Sequence, residues 1–397
     1  MASRIKYNDA LGQHMTPARI AQLLCEVLPV PFGMAVDLAV GHGDLLLPLR
    51  ERWPDIALFG VDCDAARLAR ASDAIGKKNT RLSNGLTAKL PNSTHEGRFL
   101  AILNPPFLPT EPLPLYDRLL AQAFPGVESG AGRRRLEMVF LARALLEARA
   151  RAGWVAIILP SIFVSGLRYA PYRQALLSSS RVVKAIEIRE GRFRDTEATT
   201  VLLVIDTSSQ PTHVIEIDSY DLEANTLTPV YHGPIGASER LDATYWQAAH
   251  LHHQTVPTLR DVGVEIARGR RSFAEAGRVR HRLVHTTDLS QLSGYQIRLH
   301  RYHGTRDDVF AEAGDILLAR TGTRVRWVPV RVADGRAPIT DHVLRIRAPK
   351  GYRRALERSF RHPDFDFWLR SISKGVCATV LTKHELLNMP LFALEAR

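Results

Sequence analysis

Between residue 17 and about residue 205 the chain keeps changing its hydrophobic period. Stretches with apolar residues every three or four positions (TPARIAQLLCEVL, AARLARASDAIGKK, RLEMVFLARALLEARARAG) alternate with short, nearly unbroken apolar runs (AVDLAV, ALFGVDCD, FLAIL, WVAIIL, VVKAIEI, TTVLLVID). The first pattern predicts helices and the second predicts strands buried on both faces. Strands alternating with helices restrict the fold to βαβ units, so a doubly wound α/β domain with a mixed, mainly parallel sheet is expected. Only REGRFRDTEA separates the last two runs. That is too short for a helical crossover, so those strands should pair antiparallel. Thr16 is expected to cap the first helix, with Pro17 at its first position. The helix pattern DLLLPLRERW is interrupted by Pro48, and the long pattern closing at Gly153 reads as amphipathic.

After Asp206 the texture changes. TSSQPTHVIEIDSYDLEANTLTPVYHGPIGASER is polar, with scattered Pro and Gly, and reads as a linker or an edge hairpin. Shorter strand-like pieces follow (DILLAR, WVPVRV, HVLRIR), and a mainly β (α+β) domain is expected there. The boundary is placed near residue 215, giving domains 1–215 and 216–397. Charge divides with the texture. Residues 260–397 hold 26 Lys and Arg against 15 Asp and Glu, and residues 1–259 hold the remaining 27 against 26. Almost all of the formal +12 therefore lies in the last third. Such a field attracts a polyanion, of which nucleic acid is the usual one; a merely solvated basic surface gives the same count. MASRIKYNDALGQHMTP has no apolar core, so no signal peptide is expected, and no run is long enough to span a bilayer. Cys25, Cys63 and Cys377 are far apart, which suits a reduced, cytoplasmic compartment. No metal site is expected, HLHHQ at 250–254 included, since nothing acidic or thiol completes one.

Three stretches carry chemistry. In DLAVGHGD, Gly41 and Gly43 let the backbone turn sharply and come close to a ligand. In GVDCD, Asp62 ends the second strand about twenty residues later, where doubly wound folds place an acid on a ribose. Asp64 suits a helix N-cap better. A third glycine is missing, which disfavours a dinucleotide and favours a nucleoside without pyrophosphate; S-adenosylmethionine is such a molecule. In FLAILNPPFLPTEP, Asn104 ends a strand and Pro105 and Pro106 lock the chain behind it while removing two N–H donors. The Asn104 side-chain oxygen and the Pro105 carbonyl form a rigid pair of acceptors for an amino group with two hydrogens. Phe107 offers a flat face for a planar ring. Accepting both hydrogens draws the nitrogen lone pair out of conjugation and aims it at a sulfonium methyl.

These stretches, in this order, resemble the γ-type amino-methyltransferases of DNA, which make N6-methyladenine. GQHMTP (12–17) is similar to the family's N-terminal motif, DLAVGHG to its glycine motif, GVDCD to its ribose motif and NPPF to its catalytic tetrapeptide. The resemblance covers residues 11–206. It implies S-adenosylmethionine as cofactor, bound by Thr16, Pro17, Asp37, Gly41, Gly43 and Asp62, and a flipped adenine held by Asn104, Pro105, Pro106 and Phe107. Phe193 lies where the family often keeps a second aromatic against the base. The chain departs from the pattern at Leu38, where proline is common. It departs again after the third strand, where Asn84 stands in for the usual acid near the cofactor adenine.

SERLDATYW, LRDVGVEIARGR, GDILLARTGT and SISKGVCATVLTKHELLNMPLF resemble one target-recognition half of type I restriction specificity subunits. This implies double-stranded DNA as partner and a place in a restriction-modification or related defence system, alongside a separate nuclease or other subunit. Arg268, Arg270, Arg271, Arg320 and Arg324 are the candidate DNA contacts, to bases or to phosphates. Arg133, Arg134 and Arg135 read as a solvated helix start or phosphate contacts, and Glu137 as a helix residue only. Two rival readings stand beside this one: a methyltransferase acting on RNA or a protein side-chain amide, and a non-catalytic DNA-binding scaffold that keeps the fold.

Overall fold

The structure is a computed structural model. It describes residues 16–92, 97–127, 135–189, 199–236, 239–251, 256–272, 275, 283–290, 295–300, 307–322, 328–372 and 379–392. The chain separates into two compact units, Met1–Ala243 and Thr244–Arg397.

The first unit is built on one nine-stranded sheet. Its strands are β1 (Phe32–Asp37), β2 (Ala57–Asp62), β3 (Thr80–Leu82), β4 (Arg98–Leu103), β5 (Trp154–Pro160), β6 (Arg181–Arg189), β7 (Thr200–Asp206), β8 (Val214–Asp221) and β9 (Thr226–Pro234), in the order β3-β2-β1-β4-β5-β7-β6-β8-β9. β1, β2, β3, β4 and β5 run parallel, while β7 is antiparallel to both neighbours, as the short connection between the last two runs requires. β5 and β7 are buried along their whole length, which explains their unbroken apolar sequences. The helices are α1 (Ala18–Glu26), α2 (Leu47–Arg52), α3 (Ala65–Ile75), α4 (Pro114–Ala123), α5 (Leu136–Ala150), α6 (Ile162–Ser165) and α7 (Ala170–Ser179). This is the expected doubly wound, Rossmann-like arrangement. The strand order reverses between β1 and β4, and their carboxyl ends meet there, with Val36 opposite Ala101. Ligands of such sheets bind in the crevice at that switch point.

Several local expectations change. The N-cap of α1 is Pro17, with no side-chain cap, and Thr16 has another partner. Pro48 does not interrupt a helix; it sits in the first turn of α2, where its missing N–H costs nothing. Asp64, by contrast, caps α3 as expected, accepting from Ala66 and Arg67 N–H. Met138 to Ala142 of α5 are all buried, so this helix is not amphipathic over its first half.

The unit boundary lies between Ala243 and Thr244, not near residue 215. The polar stretch after Asp206 is an edge hairpin. β8 pairs parallel with β6 from Lys184↔Glu216 to Arg189↔Asp221, burying Ile215, Ile217 and Tyr220. β9, at the sheet edge, is exposed over its first four residues and polar for that reason. Arg173 extends the unit further. It is 1% exposed. Its guanidinium donates to the carbonyls of Phe163 and Gly166, both at 2.8 Å, and of Glu239 at 3.2 Å, tying residues 239–241 to the loop after β5. Burial pushes its pKa down to about 10.

The second unit has a five-stranded sheet, in the order Glu265–Arg268, Val343–Arg347, Ile316–Ala319, Val330–Asp334, Gln296–Arg298. Alternate residues face two different cores. Ile316 and Leu318 join Ile266, Leu344, Ile346, Trp368 and Leu369, whereas Leu317 joins Val330, Val332, Ile339 and Val343. Helices Arg353–Ser359 and Pro363–Ile372 cover the first of these. The unit is α+β with a mainly β centre, as expected, and the three strand-like pieces each contribute a strand to the sheet.

Candidate active site and cofactor cleft

The turn after β1 is made by glycines in conformations that other residues rarely adopt, φ +54° at Gly41 and +89° at Gly43. A Cβ at Gly41 would stand in open space, since no atom beyond Gly41 and its two chain neighbours lies within 4 Å of that point. Gly43 N–H closes the turn on the Val40 carbonyl at 2.8 Å.

Around this turn lies a small cleft lined by Thr16, Asp37, Gly41, His42, Asp44, Arg67 and Asn104, together with Ala39, Val40 and Leu45. Its cavity volume is about 30 Å³, far below that of a ligand-sized pocket, so a bound molecule would have to widen it. Four residues expected from sequence therefore meet in one place, supplied by the segment before α1, the end of β1, the glycine turn and the end of β4. A larger hollow between α1 and the β6–β8–β9 side of the sheet contains none of them.

The cleft is organised by hydrogen bonds across long sequence distances. Asn104 Nδ2 donates to Thr16 Oγ1 at 3.0 Å, over a separation of 88 residues. This fixes the amide plane and turns its oxygen away from Thr16. Asp37 is 2% exposed and accepts from Ala39 N–H at 2.9 Å. Burial pushes its pKa up to about 8, with Asp62 and Asp44 adding to the effect. Burial also raises Asp44, against the opposing influence of His42. Asp62 does not line the cleft. Its two oxygens accept from Gly41 N–H at 2.8 Å and Asp64 N–H at 2.9 Å, so it holds the glycine turn from behind. Asn84 is exposed, and its side-chain oxygen accepts from Leu86 N–H at 2.9 Å in a local turn. The next residue, Gly85, passes so close to β1 that a Cβ would fall 1.9 Å from the Leu38 carbonyl oxygen.

Pro105 and Pro106 are buried and Phe107 is half-buried, packed against the core. Phe193 and residues 12–15 of GQHMTP lie outside the described residues. His42, Asp44 and Arg67 were missed in the sequence. The first two were legible as the neighbours of the glycines in GHGD. Arg67 had no such signal; it sits in the first turn of α3, where its Nε lies 3.4 Å from Asp64 Oδ2.

In the second unit the expected arginines differ in their ties. Arg268 Nη2 is 3.1 Å from Asp341 Oδ2, and Arg271 Nε is 2.9 Å from Asp308 Oδ1, a carboxylate only 5% exposed. Arg320 is pushed down in pKa by burial and by nearby Arg268. Arg270 is 69% exposed, 3.8 Å from Asp307. Arg324 and the histidines at 252–253 lie outside the described residues. Among those described, no cluster of three or more His, Cys, Asp or Glu could hold a metal ion, and no helix is long and apolar enough to cross a membrane.

No family model matches the chain. Among solved structures it is similar to the methyltransferase subunit of the type I restriction-modification system from Streptococcus thermophilus, at 19% identity and a TM-score of 0.44, over 60% of this chain and 52% of that one. It is similar to the M protein of the type I restriction enzyme EcoKI at 16% identity and a TM-score of 0.40, over 53% and 48%. The type IIG restriction endonuclease BpuSI matches at 12% identity and a TM-score of 0.44, over 95% of this chain and 58% of that one. The chain thus spans about half the length of these proteins.

Proposed function

We propose that the chain is an S-adenosylmethionine-dependent DNA methyltransferase that modifies the N6 amine of adenine within a restriction-modification or related defence system. One observation carries the reading: Thr16, Asp37, Gly41 and Asn104 line one cleft at the switch point of the sheet, with the Asn104 amide held by Thr16.

The donor set fits the cofactor. A buried carboxyl met by one backbone N–H, as Asp37 is, has no counter-charge among the described residues and suits a cationic ligand, which would favour its ionised form. Gly41 leaves room for close approach, and Asp62 keeps the turn in place. S-adenosylmethionine supplies an electrophilic methyl on a sulfonium, with the positive charge that the acidic side of the cleft favours. On the protein side, Asn104 Oδ1 and the Pro105 carbonyl accept the two hydrogens of the adenine amine. The nitrogen lone pair then leaves conjugation with the ring. Phe107 stacks on the flipped base, replacing the stacking lost when it leaves the duplex. The arginine-rich second unit serves DNA binding, with Arg270 the most exposed of the described candidates.

The test is transfer of a labelled methyl group from S-adenosylmethionine to DNA, RNA and protein in parallel. Label in the adenine of DNA is expected; label in RNA or protein alone refutes the DNA reading. Titration with the cofactor separates the non-catalytic alternative, in which no binding is seen with or without DNA.

A further inference from the structure

We propose that Arg135 is a positioning residue for the NPPF turn, with Glu137 as its anchor; the inference rests on the reading of that turn as the base-binding site. Pro105 and Pro106 remove two N–H donors from the turn, so its own backbone has little with which to hold it. Its carbonyl at Phe107 instead accepts from Arg135 Nη2 at 3.0 Å. The same guanidinium donates through Nε to Glu137 Oε1 at 2.7 Å. Beside this tie, Leu136 N–H donates to the Leu108 carbonyl at 2.8 Å, and Pro109 and Arg135 form an antiparallel bridge. The residues on either side of a 25-residue excursion are thereby stitched together directly behind the stacking aromatic.

The geometry calls for arginine. Two donors of one planar fork reach a carboxylate and a carbonyl at once, which a lysine ammonium on a flexible stem does not reproduce. The anchor is costly. Glu137 is 3% exposed, and its Oε2 finds no hydrogen-bond partner among the described residues. A buried ion pair adds little net stability over apolar packing. What this pair supplies is a fixed direction for the Phe107 carbonyl, and through it for the Phe107 ring and the Pro105 acceptor two residues earlier. On this reading Arg135 is more than a solvated helix start or a phosphate contact, and Glu137 is more than a helix residue.

The experiment uses the full chain with three variants: Glu137→Gln, Arg135→Gln, and the double variant Arg135→Gln/Glu137→Gln. The double variant removes the buried carboxylate with its partner, so it folds even where the single Arg135 change does not. Two readouts are taken. Amide hydrogen exchange over residues 104–110 and 135–137 needs no substrate; in the double variant it should accelerate about tenfold or more, with the rest of the unit unchanged. Methyl transfer to DNA at saturating cofactor and DNA should fall about 10–100-fold in kcat, with cofactor and DNA affinities little altered. Glu137→Gln alone, whose amide oxygen still accepts from Nε, should keep kcat within about threefold of the parent chain. Unchanged exchange in the turn overturns the proposal. So does a loss confined to DNA affinity with a smaller salt dependence, the mark of a phosphate contact. If exchange accelerates but the parent chain itself transfers no methyl to DNA, the positioning role stands and the proposed reaction fails.

Discussion

At the end of β1 and β2 the buried acids are held by backbone amides, whereas in the second unit they are held by arginines. Asp37 and Asp62 accept from the N–H groups of Ala39, Gly41 and Asp64. Asp315, equally buried, accepts from Glu312 N–H at 2.8 Å but also from Arg347 Nε at 2.7 Å and Nη2 at 2.8 Å, and Asp308 and Asp341 hold Arg271 and Arg268. An ion pair closed inside the protein has little charge left for a ligand. A buried carboxyl met only by N–H dipoles has no counter-charge, so Asp37 keeps its proton up to about pH 8 and can lose it to match a cation that enters the cleft. The near-neutral part of the chain is thus the part poised to take a cationic small molecule. In the strongly basic part, several arginines are engaged internally, and net charge alone overstates how many can meet DNA.

If the two units divide chemistry and DNA contact in this way, changes in one should leave the other's property intact. Asn104→Ala should lower kcat for methyl transfer about 10²–10³-fold while cofactor and DNA still bind; an equal loss of DNA affinity would break the division. Arg173→Met should destabilise the first unit by about 3 kcal/mol, because two buried carbonyls and a partly buried one lose their donor, and leave unfolding of the second unit unchanged in denaturant titration.

The next effect depends on pH. Asp37 holds its proton in the folded chain up to about pH 8, well above the usual value of 3.8. The unfolded chain loses that proton earlier. The stability contributed by the neutral form is therefore complete below the ordinary carboxylate range and is lost as pH rises towards 8. Affinity for the cationic cofactor should run the other way, rising to about pH 8 and then levelling. Isothermal titration from pH 6 to 9 checks this; the slope should vanish in Asp37→Asn. The smallest effect belongs to Arg270→Ala. DNA affinity should fall a few-fold, with a salt slope lower by about one, and cofactor affinity should not change.

The sheet was legible because strands buried on both faces must be apolar throughout, and because one short connection forced β7 to run antiparallel. The hairpin β8–β9 was half legible: an edge strand exposed on one side reads as polar loop. The glycine turn and NPPF were legible because unusual backbone conformations leave their mark in residue type. What was hidden lies in long-range bonds, which no local pattern encodes. Thr16 was read as a helix cap and instead holds Asn104. Asp62 was read as a ribose acceptor, and its hold on the glycine turn was not foreseen. Arg173 carried no signal at all, since nothing in its helix shows that two carbonyls of the preceding segment and one 66 residues further on will surround it. Asn84 was read as a partner for the cofactor adenine, and the structure uses its side chain in a local turn.

The most direct measurement is methylation-aware sequencing of DNA from cells expressing the chain or its Asn104→Ala variant. The account predicts N6-methyladenine at one defined sequence with the parent chain, and its near-complete loss in the variant. Methylation that persists in the variant, or none with a folded, cofactor-binding parent chain, would contradict it.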